Sequence, residues 1–125
     1  MQKFRAWDKV KQAMCSVEAI DYVNNKIYPF YRKTVRKYIP FDEAVPMEST
    51  TMFDKNDVEI FEADVVKMRH TIYDDFEFFK VTKSRGGCWR IGNRLRSSEL
   101  WLRNEDCEVV GNVWENPELL ERVEE

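Results

Sequence analysis

From Thr50 onward the chain switches between apolar and polar character every few residues, and this alternation constrains its fold more than any other feature. Val58-Glu59-Ile60-Phe61, Val65-Val66-Lys67-Met68, Phe76 to Val81, Cys88-Trp89-Arg90-Ile91 and Cys107 to Val110 are short runs rich in β-branched and aromatic residues. Polar turns separate them. Asp54-Lys55-Asn56-Asp57 precedes the first, and Gly86-Gly87 supplies the backbone freedom that a tight hairpin needs before Cys88. Five or six short strands with no long helix between them predict a small antiparallel barrel or roll rather than an α/β sheet. At the C-terminal end, Asn116-Pro117-Glu118-Leu119-Leu120 predicts a short helix. Asn116 would be its N-cap, Pro117 would sit where an N–H has no partner, and Glu118 would lie near the positive dipole end.

The first forty residues are ambiguous. Phe4, Trp7, Val10, Met14 and Val17 recur at helical spacing. The same residues also fit two short strands, Phe4 to Trp7 and Met14 to Val17, joined through polar Asp8 to Gln12. Pro29, Pro40 and Pro46 then mark an irregular connector. Within it lies Tyr31-Arg32-Lys33-Thr34-Val35-Arg36-Lys37-Tyr38, a basic run between aromatics. The expected organisation is an N-terminal β-rich segment over residues 1–47, with this arm, and a barrel domain over 48–125.

At 125 residues, 43% of them apolar and 14% aromatic, the chain is long enough to bury a core without disulfides or metals. No apolar run approaches the roughly 18 residues of a membrane span. Met1-Gln2-Lys3-Phe4-Arg5 leads into charged residues rather than a signal-peptide core, so the cytoplasm is the expected location. The net charge of -3 conceals four blocks of alternating sign. Residues 1–40 carry nine basic and three acidic side chains, 41–66 one and eight, 67–104 nine and four, and 105–125 one and eight. Such segregation marks partner surfaces or internal pairing.

Motifs exclude several chemistries. Cys15, Cys88 and Cys107 form no close pair, so with His70 they make a poor zinc site, and free thiols without metal are expected. Asp54 to Glu59 begins like a calcium loop but has Val58 at the fifth ligand position and no glycine at the sixth. Glu59, Glu62 and Asp64 read as solvent-facing strand and turn positions rather than an acid–base pair. Four glycines supply neither a dinucleotide fingerprint nor a P-loop. No nucleophile, base and orienting group assemble from motifs, so an enzyme ranks last and no cofactor is expected. The positive signal is Lys83, Arg85, Arg90, Arg94, Arg96 and Arg103, with Trp89 and Trp101 interleaved and one acid, Glu99, among them. Arginine beside aromatics suits nucleic acid, with charge for phosphates and rings for bases. Arg32, Lys33, Arg36 and Lys37 of the arm would add charge. The acidic blocks could instead imitate nucleic acid on a basic protein surface.

Three blocks carry a family resemblance: Lys3-Phe4-Arg5-Ala6-Trp7-Asp8-Lys9; Asp54-Lys55-Asn56 with Glu59 to Lys67; and Glu108 to Leu120, which includes Gly111-Asn112-Val113-Trp114-Glu115-Asn116-Pro117. In these the chain resembles the YopX family of phage and prophage proteins. The resemblance implies an N-terminal β-hairpin in place of a helix, a C-terminal SH3-like barrel, and a bacterial host cytoplasm. It implies no activity. Ala63 and Asp57 stand where the family commonly has glycine, and Met47 to Met52 lacks the family's glycine there. The resulting expectation is a non-enzymatic, phage-derived binding protein whose partner is nucleic acid or, alternatively, a host protein complex that it inhibits as an anti-defence factor of the anti-CRISPR kind. Self-association stays open.

Overall fold

The computed structural model describes residues 3–30 and 37–124. The chain divides into two compact units, Met1–Glu48 and Ser49–Glu125. The architecture is mainly β, with two antiparallel sheets and two short helices.

In the first unit β1 (Phe4–Asp8), β2 (Ala13–Asp21), β3 (Lys26–Pro29) and β4 (Ile39–Pro40) pair in the order β4-β3-β2-β1. The start of β5 (Ala44–Phe53) joins on the far side of β1, with Asp8 opposite Ala44 and Phe4 opposite Glu48. Helical periodicity in residues 4–17 does not produce a helix. Asp8 intervenes: its Oδ1 accepts the N–H groups of Val10 (3.0 Å) and Lys11 (3.1 Å), which turns the chain before a helical ladder can start. Arg5 then faces Ser16 and Trp7 faces Met14 across an antiparallel ladder. Asp21 repeats the device between β2 and β3, accepting from the N–H groups of Val23 (3.0 Å) and Asn24 (3.1 Å), and the Asn24 side-chain amide, donating to Oδ2 (2.9 Å), together with its backbone N–H lowers the carboxyl pKa. Ala6, Ile27, Ile39 and Ala44 form the buried centre, with Cys15, Val17 and Phe41 against them.

In the second unit the end of β5 pairs with β6 (Glu59–Phe61). A separate sheet follows from β7 (Asp64–Met68), β8 (Glu77–Lys83), β9 (Trp89–Gly92), β10 (Ser97–Glu99) and β11 (Glu108–Asn112), in the order β10-β9-β8-β7-β11. Alternation assigns its faces. Val66, Met68, Phe79, Val81 and Ile91 point into a core closed by Ile60, Cys107 and Leu100, the last from α1 (Leu100–Arg103). Val65, Lys67, Phe78, Lys80, Thr82 and Arg90 lie on the opposite face, part of which is covered by α2 (Pro117–Glu124).

The expected barrel is not closed. Among the described residues β10 and β11 each pair on one side only, so the sheet keeps two edges. Both edges are blunted, which removes the drive to pair them. β10 has three residues and passes directly into α1. On β11, the Val109 N–H donates to Asp54 Oδ2 (2.8 Å) and the Asn112 N–H to Asn116 Oδ1 (3.2 Å). Asn116 therefore directs the oxygen expected to cap α2 back at β11.

Candidate functional site

The structure distributes the cations of the basic segment over several places. Lys83 ends β8, its Nζ 5.5 Å from the centre of the Trp89 ring, and Arg85 stands exposed in the β8–β9 hairpin. This hairpin closes as its glycines predict, with Gly87 at φ +85° and its N–H on the Ser84 carbonyl (3.0 Å). Arg94 and Arg96 lie beyond the other end of β9, roughly 13 Å away at ~3.3 Å per residue. Arg90 pairs with Glu99 on the neighbouring strand and reaches Ser97 Oγ (3.2 Å). Arg96 Nε lies 3.3 Å from Glu77 Oε1, at an angle outside hydrogen bonding. Arg103 Nε meets Asp106 Oδ2 at 3.1 Å, and its Nη2 donates to the Arg69 carbonyl (2.9 Å). Lys37 is exposed just before β4 in the first unit, while Arg32, Lys33 and Arg36 lie outside the described residues. The segment is thus not one stripe.

Two places gather positive charge. The first is a groove of about 450 Å³ between β8–β9 and α2, where Arg94 meets Lys80, Thr82, Gly92 and Asn93, with Leu120, Val123 and Glu124 as the opposite wall. Lys80 lies directly across from Gly92 and Thr82 across from Arg90. Among the described residues neither Lys80 nor Arg94 has a carboxylate partner. The Arg94 N–H donates to the Val123 carbonyl (3.2 Å), which holds the turn against α2. Lys80 is absent from the basic segment as read in the sequence, yet the parity of β8 marks it, because Phe79 and Val81 must face the core. The second is a cleft of about 430 Å³ lined by Lys55, Arg69, His70 and Arg103. Its members are far apart in the chain, Glu105 and Asp106 line it as well, and of its cations Arg103 alone belongs to the basic segment read from the sequence.

The thiols separate by environment. Burial pushes the Cys107 thiol up to about 12, and burial with nearby Asp8 raises that of Cys15. Cys88 is exposed. Among the described residues no three His, Cys, Asp or Glu side chains converge as metal ligands, and no helix is long and apolar enough to cross a membrane.

A family model described as YopX protein matches residues 3–121. The chain belongs to the YopX family. Its fold is similar to that of the crystal structure of protein EF1440 from Enterococcus faecalis, at 26% identity and a TM-score of 0.66 over 96% of this chain and 98% of that one. The X-ray structure of protein yopX from Bacillus subtilis shares the fold at 19% identity and a TM-score of 0.65, over 94% and 95% of the two chains. No curated protein matches. Within the YopX blocks the residues prove structural. Asp54 accepts the N–H groups of Asn56 (2.8 Å) and Val58 (2.9 Å), and Asp64 accepts that of Phe61 (2.8 Å). Asn112 Oδ1 accepts those of Trp114 (3.0 Å) and Glu115 (2.8 Å).

Proposed function

We propose that this YopX-family chain is a non-enzymatic binding protein, encoded by a phage or prophage and acting in the bacterial cytoplasm, that contacts a nucleic-acid backbone through the groove beside α2. One observation carries the reading. Lys80 and Arg94 present charges without a carboxylate partner among the described residues, around a floor that includes the Thr82 hydroxyl and Gly92. A floor without a side chain lets a phosphate approach the strand closely, and cations that are not already neutralised release counterions on binding. No recognition helix enters a groove of the duplex, so contact is independent of sequence. The Ser49–Glu125 unit then serves as an SH3-like module that binds on the outer face of its sheet, with exposed Lys83 and Arg85 adding charge at the hairpin.

The test is binding to short single- and double-stranded DNA and RNA at two salt concentrations. The double variant Lys80→Ala with Arg94→Ala is expected to lose about two contacts, which flattens the salt slope for duplex DNA by roughly 1.8 log units per tenfold change in salt. Unchanged affinity in that variant, or no binding by the native protein at low salt, overturns the proposal.

A second reading has its own observation. Trp101 and Leu102 of α1 are exposed, as are Ile72 and Tyr73 in the loop after β7, and large apolar groups of this kind anchor protein interfaces. Docking on a host protein complex as an anti-defence inhibitor would use these. Capture of a host protein that survives nuclease treatment and is lost in Trp101→Ala supports it.

A further inference from the structure

We propose that the cleft between the loop after β7 and the end of α1 binds a phosphomonoester of a small organic group. It is separate from the groove beside α2 and shares no lining residue with it. Lys55 comes from the turn before β6, Arg69 and His70 from the segment after β7, and Arg103 from the last turn of α1. Ile72 and Phe76 complete the wall on one side.

The charges are held in position, and only some of them are neutralised. Arg69 lies over the Phe76 ring, 4.4 Å from its centre, and its Nη1 donates to the Ile72 carbonyl at 3.3 Å. A ring and a carbonyl orient the guanidinium and leave its full charge in place, and no carboxylate pairs with it among the described residues. Arg103 donates to the carbonyls of Arg69 (2.9 Å) and His70 (3.4 Å), so its fork is fixed relative to that loop, and Asp106 offsets part of its charge. Lys55 Nζ stands 3.9 Å from Glu108 Oε2, at the limit of an ion pair. Glu105 and Asp106 also line the cleft and Glu108 stands beside Lys55, so of its three cations Arg69 is the one with no carboxylate partner among the described residues.

An oriented guanidinium that keeps its charge, set beside the fixed fork of Arg103, favours a compact anion over a neutral molecule, and a guanidinium fork matches phosphate oxygens better than any other anion-binding side chain does. Side chains already ordered by the fold lose little freedom when a ligand arrives. At about 430 Å³ the cleft lies in the size range of small-molecule sites, so it holds a phosphate together with the group that carries it. Ile72 and Phe76 offer that group an apolar wall.

Calorimetry on the full chain would use adenosine 5′-monophosphate, inorganic phosphate and adenosine as probes. Saturable one-to-one binding of the monophosphate, weaker binding of phosphate and none of adenosine is expected. Arg69→Ala and Lys55→Ala should each weaken the monophosphate by about tenfold, the loss of one charge-assisted bond. Because Arg69 also packs on Phe76, thermal unfolding accompanies each variant, and Lys55→Ala keeps the test open if Arg69→Ala unfolds. Lys80→Ala with Arg94→Ala should leave monophosphate binding unchanged, which separates this site from the nucleic-acid groove. Equal binding of adenosine, absence of saturation at millimolar monophosphate, or native affinity in folded Arg69→Ala and Lys55→Ala would overturn it.

Discussion

Three residues that carry a Cβ adopt left-handed backbone in one short stretch: Thr51 (φ 62°), Asp57 (φ 61°) and Ala63 (φ 71°). This conformation costs an L-residue roughly 1–2 kcal/mol, and it is least tolerable for a β-branched side chain. Asp57 and Ala63 are the positions where the family resemblance sets glycine, and Thr51 lies in the segment that lacks its glycine. The departures seen in the sequence are therefore places where the backbone still follows the glycine geometry. Hydrogen bonds hold Thr51 there: its N–H donates to Ser49 Oγ (3.0 Å), and Thr50 Oγ1 ties the strand to the Ile60 carbonyl (2.7 Å). Glycine frees the unfolded chain by about 0.5–1 kcal/mol, so relief of strain exceeds that loss by a modest margin. Thr51→Gly is expected to stabilise by about 1 kcal/mol and Ala63→Gly by about 0.5 kcal/mol in urea unfolding. Destabilisation in both would show that the left-handed geometry carries no strain. Thiol reactivity gives a second prediction. Cys88 should react with a thiol reagent in the native state, while Cys107, its pKa pushed to about 12 by burial, should react only after unfolding. An unfolded Cys107 loses its proton above its ordinary value of 9.0, whereas the folded thiol keeps it, so this residue's contribution to stability declines as pH rises from about 9 toward about 12.

Whether an element was legible in the sequence depends on how locally it is determined. The β8–β9 hairpin was readable because Gly86-Gly87 and the flanking strands lie within a few residues. For residues 4–17 periodicity pointed to a helix, and the deciding interaction, Asp8 accepting from Val10 and Lys11, has the same local range but no periodic signature. The open edge of β11 was not legible. It depends on Asp54 reaching Val109 across 55 positions, and the turn sequence Asp54-Lys55-Asn56 contains no hint of that partner. The same limit applies to the candidate sites. Lys80 follows from strand parity, but the cleft joins Lys55, Arg69 and Arg103 through tertiary contacts alone. Asp54→Ala should therefore act on two elements at once. It removes three hydrogen bonds from a buried carboxylate and leaves the Val109 N–H at the edge without its acceptor, costing about 2–4 kcal/mol. A loss under 1 kcal/mol would mean that β11 holds its place without the turn. Gly111 is a further element-level constraint, because a Cβ there would run into the Asn116 side-chain amide that accepts from Asn112, and would come within 2.8 Å of Leu119 Cδ1 of α2. Gly111→Ala should destabilise by about 1–3 kcal/mol, read as a lowered thermal midpoint.

At the scale of the molecule, the alternating charge blocks suggest neutralisation of one block by the next, but strand register chooses the partners. Arg90 with Glu99 and Arg96 with Glu77 both lie inside the basic block 67–104, and Lys55 with Glu108 joins two acidic ones. Arg103 with Asp106 crosses from basic to acidic. Local acids are consumed by the strands and turns that hold them, and Lys80, Arg85 and Arg94, like Arg69 of the cleft, have no carboxylate partner among the described residues. The arginines of the segment therefore divide into two kinds that composition alone treats as one. Arg90 and Arg96 are half-buried and pair across strands, so Arg90→Ala and Arg96→Ala should each lower stability by about 1 kcal/mol. Arg85→Ala and Arg94→Ala should stay within about 0.5 kcal/mol of the native protein. Affinity for nucleic acid should follow the opposite order, falling with Arg94→Ala and Lys80→Ala and changing little with Arg96→Ala at temperatures where that variant is folded. Urea unfolding and low-salt binding on the same five variants measure both quantities. If affinity fell in step with stability instead, the unpaired cations would not form the contact surface, and the exposed aromatics of α1 would become the better place to look for the partner.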